Sequence, residues 1–146
     1  MPKDVQNETV ELDAWPDPGR PEAPPPADEA GIRRAAAMID AARRPVLYLG
    51  GGVIHAGASE LATALAEKAS IPATMTLMGL GAVPSDHPQA LGMLGMHAAR
   101  YTNLALEECD LLIAAGVRFD DRATGKVAQF CPHAQIIHID IDRSEL

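Results

Sequence analysis

Two patterns of apolar positions alternate along this chain. In "DEAGIRRAAAMIDAARR", Ile32, Ala35, Ala36, Ile39 and Ala42 recur at helical spacing; acidic residues open the segment and Arg43 and Arg44 close it, as a helix dipole favours. "PVLYLGGG" follows, a short β-favouring run that ends in Gly50, Gly51 and Gly52, and then "GASELATALAEKAS", where Leu61, Ala62, Leu65 and Ala69 mark a second helix. "IPATMTL" reads as a second strand and "GLGAVPSDHPQALGMLGMH" as an irregular stretch broken by Gly and Pro. "AARYTNLALEECD" predicts a helix carrying Leu104 and Leu106. "LLIAAGV" and "AQIIHIDID" predict a third and a fourth strand, with the near-continuous apolar character of strands covered on both faces.

Strand, glycine turn and helix in that order open a βαβ unit, and their alternation predicts an α/β fold with a Rossmann-like, doubly wound parallel sheet. No period of a repeat architecture recurs. Ahead of the first helix, "DAWPDPGRPEAPPPA" (13–27) holds six of the twelve prolines; without amide donors it can support neither helix nor ladder, so it reads as an extended linker. Residues 1–12 are too few for a domain and read as the tail of a preceding one. The remainder, 28–146, is expected to form one domain.

Composition agrees with a single core: 146 residues, 47% of them hydrophobic. A net charge of -8, with 12 scattered Lys and Arg, argues against a nucleic-acid surface, which needs clustered cations. A small molecule or another protein is the expected partner. Cys109 and Cys131 form neither a C-x-x-C motif nor a zinc spacing and are expected as two buried thiols in a reducing cytoplasm. No apolar run has bilayer-spanning length and the start lacks a signal pattern, so no membrane partner is expected.

Ligands of open parallel sheets lie beyond the carboxyl ends of the strands. There, Gly50–Gly52 permit either close approach of backbone to phosphate or simply a tight turn; the order "GGGVIHAG" is not G-x-G-x-x-G. After the third strand comes "GVRFDDR". Its two guanidinium groups could grip phosphate or flank a flavin while the carboxylates fix their geometry or receive ribose hydroxyls; a solvated salt-bridge turn is the alternative. Asp140 and Asp142 fall on one side of the fourth strand by alternation, as ribose acceptors or as helix caps. Met75, Met78, Met93 and Met96 suit either a flat aromatic ligand or ordinary core filling. His97 has no partner at metal-site spacing, and no nucleophile motif or carboxylate pair is present, so no catalytic residue and no metal site are assigned.

Together, "PVLYLGGGVI", "TMTLMGLG", "LGMLGMH", "GVRFDDRATGK" and "IIHIDIDRSEL" resemble the central domain of the acetolactate synthase (acetohydroxyacid synthase) large subunit, over nearly all of residues 31–146. "PKDVQ" is similar to the end of the preceding domain in that family. The resemblance implies a thiamine-diphosphate- and magnesium-dependent carboligase that condenses pyruvate with pyruvate or 2-oxobutyrate in branched-chain amino-acid biosynthesis, with FAD held in the central domain without net redox change. Matched motif by motif, it implies FAD contacts at Gly51, Gly52, Thr76, Leu77, Met78, Leu94, Gly95, Met96 and His97. It also implies contacts at Gly116, Val117, Arg118, Asp120, Arg122, Asp140 and Ile141, and places Asp121 and Arg122 toward a channel where inhibitors of the family bind.

The family's thiamine site is built by two other domains, one supplying a glutamate and the other a Gly-Asp-Gly motif that occurs nowhere here. The resemblance therefore implies a domain inactive alone, with its last strand missing. Implied partners are the other domains, further copies of the subunit and a regulatory small subunit. Three rival readings remain: a glyoxylate carboligase or pyruvate oxidase central domain, half of an NAD-dependent dehydrogenase, or an assembly module without cofactor.

Overall fold

A computed structural model describes residues 3–19 and 26–146. Helix α1 (Lys3–Asn7) comes first; residues 8–19 are exposed and form neither helix nor strand. Of the Pro-rich segment, residues 20–25 lie outside the described residues. After α2 (Glu29–Ala41) come β1 (Pro45–Leu49), α3 (Gly51–His55), α4 (Ser59–Ala69), β2 (Ala73–Met75), β3 (Ala90–Met93), α5 (Arg100–Glu108), β4 (Leu111–Ala115), α6 (Asp121–Thr124) and β5 (Gln135–Ile139). All strand pairings are parallel, in the order β3-β2-β1-β4-β5. The chain thus winds outward from β1 in one direction and then from β4 in the other. That order is the doubly wound arrangement, with its switch point between β1 and β4.

Alternation along the strands builds two cores. Leu47 and Leu49 of β1 share one face with Ala73 and Met75 of β2 and with Leu111 and Ile113 of β4, packing on Ala66, Ile71 and Val83 and on Met38 and Ile39 of α2. On the opposite face, Val46, Tyr48, Leu112 and Ala114 pack with Leu94, Leu106, Val117 and the thiols of Cys109 and Cys131. Burying a side chain such as Leu112, which is fully enclosed, contributes about 1.5–3 kcal/mol.

Five strands are present where four were expected. The missed one, β3, lies in the Gly- and Pro-broken stretch, and Gly92 within it has φ of +73°. Its register against β2 shifts between Ala73 and Thr74, which scrambles any period-2 signal. Two buried threonines hold it in place: Thr74 Oγ1 donates to the Gly92 carbonyl at 3.0 Å and Thr102 Oγ1 to that of Leu91 at 2.6 Å. The expectation for "AQIIHIDID" also needs correction, because β5 is an edge strand and is not covered on both faces. Ile136 and Ile139 are 49% and 55% exposed.

Helix α2 starts as its sequence dictates, with the Asp28 carboxylate accepting from the amides of Ala30 at 3.1 Å and Gly31 at 2.9 Å. It stops before Arg43 and Arg44, short of the expected end. Pro45 disfavours helix at the residue before it, and the Asp110 carboxylate accepts from the amides of Arg43 and Arg44, both at 2.8 Å. These bonds stitch the entry of β1 to the entry of β4 and hold the Asp110 carboxyl below its ordinary range. A carboxylate with a depressed folded-state pKa stabilises at pH above its unfolded value, and that contribution is lost as pH falls through the folded one. Accordingly, Asp110→Ala should lower the melting temperature at neutral pH, and its difference from the parent chain should shrink as pH falls below the usual aspartate range. A difference that stays constant through acid would remove Asp110 from this role.

Candidate functional site

At the carboxyl ends of β1 and β4 two backbones come into direct contact. Gly50 N donates to the Ala115 carbonyl at 2.9 Å and Gly52 N to that of Gly116 at 3.2 Å, while Gly116 N donates to Ile139 at 2.9 Å. A Cβ on Gly50 would collide with the Gly116 carbonyl oxygen, and one on Gly52 would lie 2.6 Å from Gly116 Cα. Gly116 itself has φ of +59°, where an L side chain is strained. Tight packing against Gly116 by itself requires glycine at Gly50 and Gly52. Gly51 differs: a Cβ there would lie 3.1 Å from Cβ of Met78, whose side chain is exposed.

Beyond β2, Thr76 caps a single 3-10 turn over Leu77–Gly79, its Oγ1 accepting from Gly79 N at 3.0 Å. This leaves Leu77 and Met78 about 70% exposed. Past β3 a second such turn spans Gly95–His97, with Met96 also exposed. Asn103 of α5 holds that turn through its side-chain amide, giving to the Gly95 carbonyl and receiving from Gly95 N, each at 3.3 Å. Of the four weighed methionines, Met75 is core and Met93 partly buried, while Met78 and Met96 stand at the carboxyl edge.

In the charged segment after β4, the first carboxylate serves a helix cap and the salt-bridge alternative is not formed. Asp120 caps α6, accepting from the amides of Arg122 at 3.1 Å and Ala123 at 3.3 Å. Its carboxylate is thereby aimed at backbone rather than at a guanidinium group. Among the described residues, neither Arg118 nor Arg122 makes an ion pair, so the salt-bridge turn does not form. Both side chains are exposed. Between them, Phe119 takes φ of +52° and turns its ring inward, edge-on to Tyr48, Phe130 and His138 at centroid distances of 5.6, 6.1 and 5.0 Å. His138 Nε2 also bonds the Val117 carbonyl at 3.0 Å. Burial in this cluster, together with nearby Asp120 and Cys131, raises the pKa of Tyr48 and keeps it neutral.

The structure gathers Gly51, Gly52, Thr76, Leu77, Met78, Gly95, Met96, His97, Gly116, Arg118, Asp120 and Arg122 at strand ends or in the turns that leave them. Leu94 and Val117 lie there too, but their side chains are core. Asp140 and Asp142 do not share a strand face, because β5 ends at Ile139. Asp140 Oδ1 accepts from Asp142 N at 2.9 Å, and Asp142 caps the last turn through Ser144, whose hydroxyl and amide hold its pKa down. Ile141 is 78% exposed. Asp121 and Arg122 line a cleft of about 460 Å³ with Gly95, Met96, Lys126 and Cys131. The short α6 that shapes this cleft was not foreseen; the Asp120 to Ala123 spacing of its cap is the signal that could have shown it. Among the described residues no cluster of metal-ligating side chains occurs, and no helix is long and apolar enough to cross a membrane.

Residues 32–146 match the family model for the central domain of thiamine pyrophosphate enzymes. The chain belongs to that family. The chain is 60% identical over 146 residues to the acetolactate synthase isozyme 1 large subunit of Escherichia coli K12, covering all of the chain and 26% of that protein. It is 47% identical over 151 residues to a probable acetolactate synthase large subunit of Methanocaldococcus jannaschii, and 47% over 146 residues to the isozyme 2 large subunit of E. coli. In both cases all of the chain and 26% of the relative are covered, so the chain spans about a quarter of the length of these relatives. The expected resemblance and fold class are borne out.

The glycine junction yields a contrast within one thiamine pyrophosphate enzyme domain. Gly116→Ala should cost about 2–4 kcal/mol in urea unfolding, from a left-handed φ and from overpacking against Gly52. Gly51→Ala, at ordinary φ and with its nearest neighbours Met78 Cβ and carbonyl oxygen at 3.1 and 3.3 Å, should cost less than about 1.5 kcal/mol. Equal losses would show that the junction is not the constraint.

Proposed function

We propose that this domain holds FAD across the carboxyl edge of its sheet within a thiamine-diphosphate-dependent acetolactate synthase, which condenses pyruvate with pyruvate or 2-oxobutyrate. The observation that carries the proposal is an exposed guanidinium, Arg118, without an ion-pair partner among the described residues, on the same edge as exposed Leu77, Met78, Met96 and Ile141. The donor set fits the cofactor in kind: a cation suits its diphosphate, and thioethers and leucine suit a flat ring. Gly51 and Gly52 present backbone without side chains, and Gly116 shapes the turn that carries Arg118 outward. Bound there, FAD supplies a planar aromatic surface and no net redox change.

Every other contribution belongs to the chain. The Phe119 ring, clamped by Tyr48, Phe130 and His138, fixes the backbone from which Arg118 projects. Asp120 keeps the start of α6 in place, so that Asp121 and Arg122 line the cleft beside Gly95 and Met96. That cleft is proposed as part of the channel toward the active site. Asp140 and Ile141 border the same edge beyond β5. Thiamine diphosphate and magnesium are assigned to other domains of the parent enzyme, and the residues of this domain to cofactor holding and scaffolding. Residues 1–12 are proposed as the end of a preceding domain and 13–27 as the linker. Further copies of the subunit, a regulatory small subunit and a cytoplasmic location complete the proposal.

Titration with FAD, followed by flavin fluorescence with NAD and ADP as competitors, tests this reading. Saturable binding selective for FAD is expected, and Arg118→Ala should weaken it by about 1.5–3 kcal/mol with little change in melting temperature. Unchanged affinity in the variant would remove Arg118 from the site, and preference for NAD would contradict the proposal.

A further inference from the structure

Side chains at the start of α5 grip the end of β3 and the turn that leaves it. Thr102, fully enclosed, donates from Oγ1 to the Leu91 carbonyl at 2.6 Å. The next residue, Asn103, receives from Gly95 N and gives to the Gly95 carbonyl, each at 3.3 Å. Its amide can face only one way, because the backbone nitrogen donates and the backbone oxygen accepts. That oxygen also receives Ala98 N at 3.1 Å, so both of its lone pairs are used. Gly95 in turn lies directly against α6. At its φ of +85°, a Cβ would sit 2.5 Å from the Arg122 carbonyl oxygen and 3.0 Å from Ala123 Cα. Backbone thus meets backbone at a second glycine contact, and Gly95, Asn103, Arg122 and Ala123 all line the cleft.

We propose that Asn103 is a positioning residue: by holding both polar backbone atoms of Gly95 it seats α6, and so sets where Asp121 and Arg122 stand in the cleft relative to Met96. A four-residue helix does not persist on its own, because its costly nucleus must be offset by packing. Asp120 caps α6 from within the same segment, so the cap cannot fix where the helix lies. Its seat is external: Ala123 packs on the second core, and the Gly95 backbone lies against Arg122 and Ala123. Thr102 anchors α5 to β3 and gives Asn103 a fixed base; the two bonds at Gly95 carry that placement onward to α6. Met96 follows Gly95 in the same turn, so one side chain orders cleft residues from two elements. Asn103 acts through Gly95 and not on a ligand. Its effect on FAD rests on the flavin reading proposed above; its effect on α6 does not.

Cα chemical shifts of the isotopically labelled chain, recorded without ligand, test the seating. Asn103→Ala should move the shifts of Asp121–Thr124 toward random-coil values, although they are distant in sequence. Asn103→Asp keeps the shape and an acceptor for Gly95 N but sets a carboxylate against the Gly95 carbonyl, and should act in the same direction. Tyr101→Ala, exposed on the same turn of α5, should leave α6 unchanged. FAD affinity, followed by flavin fluorescence, should fall about three- to tenfold in both Asn103 variants. Unaltered α6 shifts in Asn103→Ala, parent-like behaviour of Asn103→Asp, or equal movement toward random coil throughout α5 and β4 would each overturn the positioning role. Unchanged FAD affinity alongside altered α6 shifts would overturn its effect on the cofactor. A parent chain that binds no FAD would instead count against the flavin reading, and the α6 shifts alone then decide Asn103.

Discussion

Contact between the backbones of Gly52 and Gly116 is the constraint on which the rest of this domain depends. In a doubly wound sheet the chain leaves β1 and β4 in opposite directions, and a crevice opens between the departing segments. Here those segments meet directly, amide to carbonyl, because neither carries a Cβ where they cross. Any larger residue would push the loops apart and shift everything they carry: Met78 over Gly51 on one side, Arg118 and Asp120 on the other. Close approach therefore sets the position of the carboxyl edge before any ligand is considered.

From that junction outward, polar groups are assigned to backbone and apolar groups are left in solvent, the reverse of what a free surface favours. Thr76, Asn103, Asp120 and Asp142 each satisfy amides of the turn beside them, so the turns are rigid without help from outside. Leu77, Met78, Met96 and Ile141 remain exposed on the same rim. An apolar rim with a guanidinium that no described residue pairs is an arrangement that gains from being covered by a flat, anionic molecule, and this motivates the flavin reading. At the amino edge Asp110 instead ties two strand entries together.

Much of this was legible in the chain. Continuous apolar runs marked β1, β2, β4 and β5, and the Asp28 cap and its periodic face marked α2, because burial and capping act locally. What escaped was set by tertiary context. Strand β3 contains a left-handed glycine and is secured by Thr74 and Thr102 from elsewhere; nothing in "QALGM" alone distinguishes it from a loop. The charges of "RFDDR" showed that the segment was unusual but not that Asp120 would cap a helix or that Phe119 would turn inward. Nor does spacing reveal that Cys109 and Cys131 share the second core.

The central claim is that the carboxyl edge, ordered by the glycine junction, is the surface that takes the cofactor. Backbone amide chemical shifts of the isotopically labelled chain, recorded with and without FAD, test it most directly. The account predicts changes at Gly51, Gly52, Leu77–Gly79, Gly95–His97 and Gly116–Asp120, with Asp110 and Gln135 at the opposite edge unmoved. Changes concentrated at the amino ends of the strands, or none at saturating FAD, would contradict it.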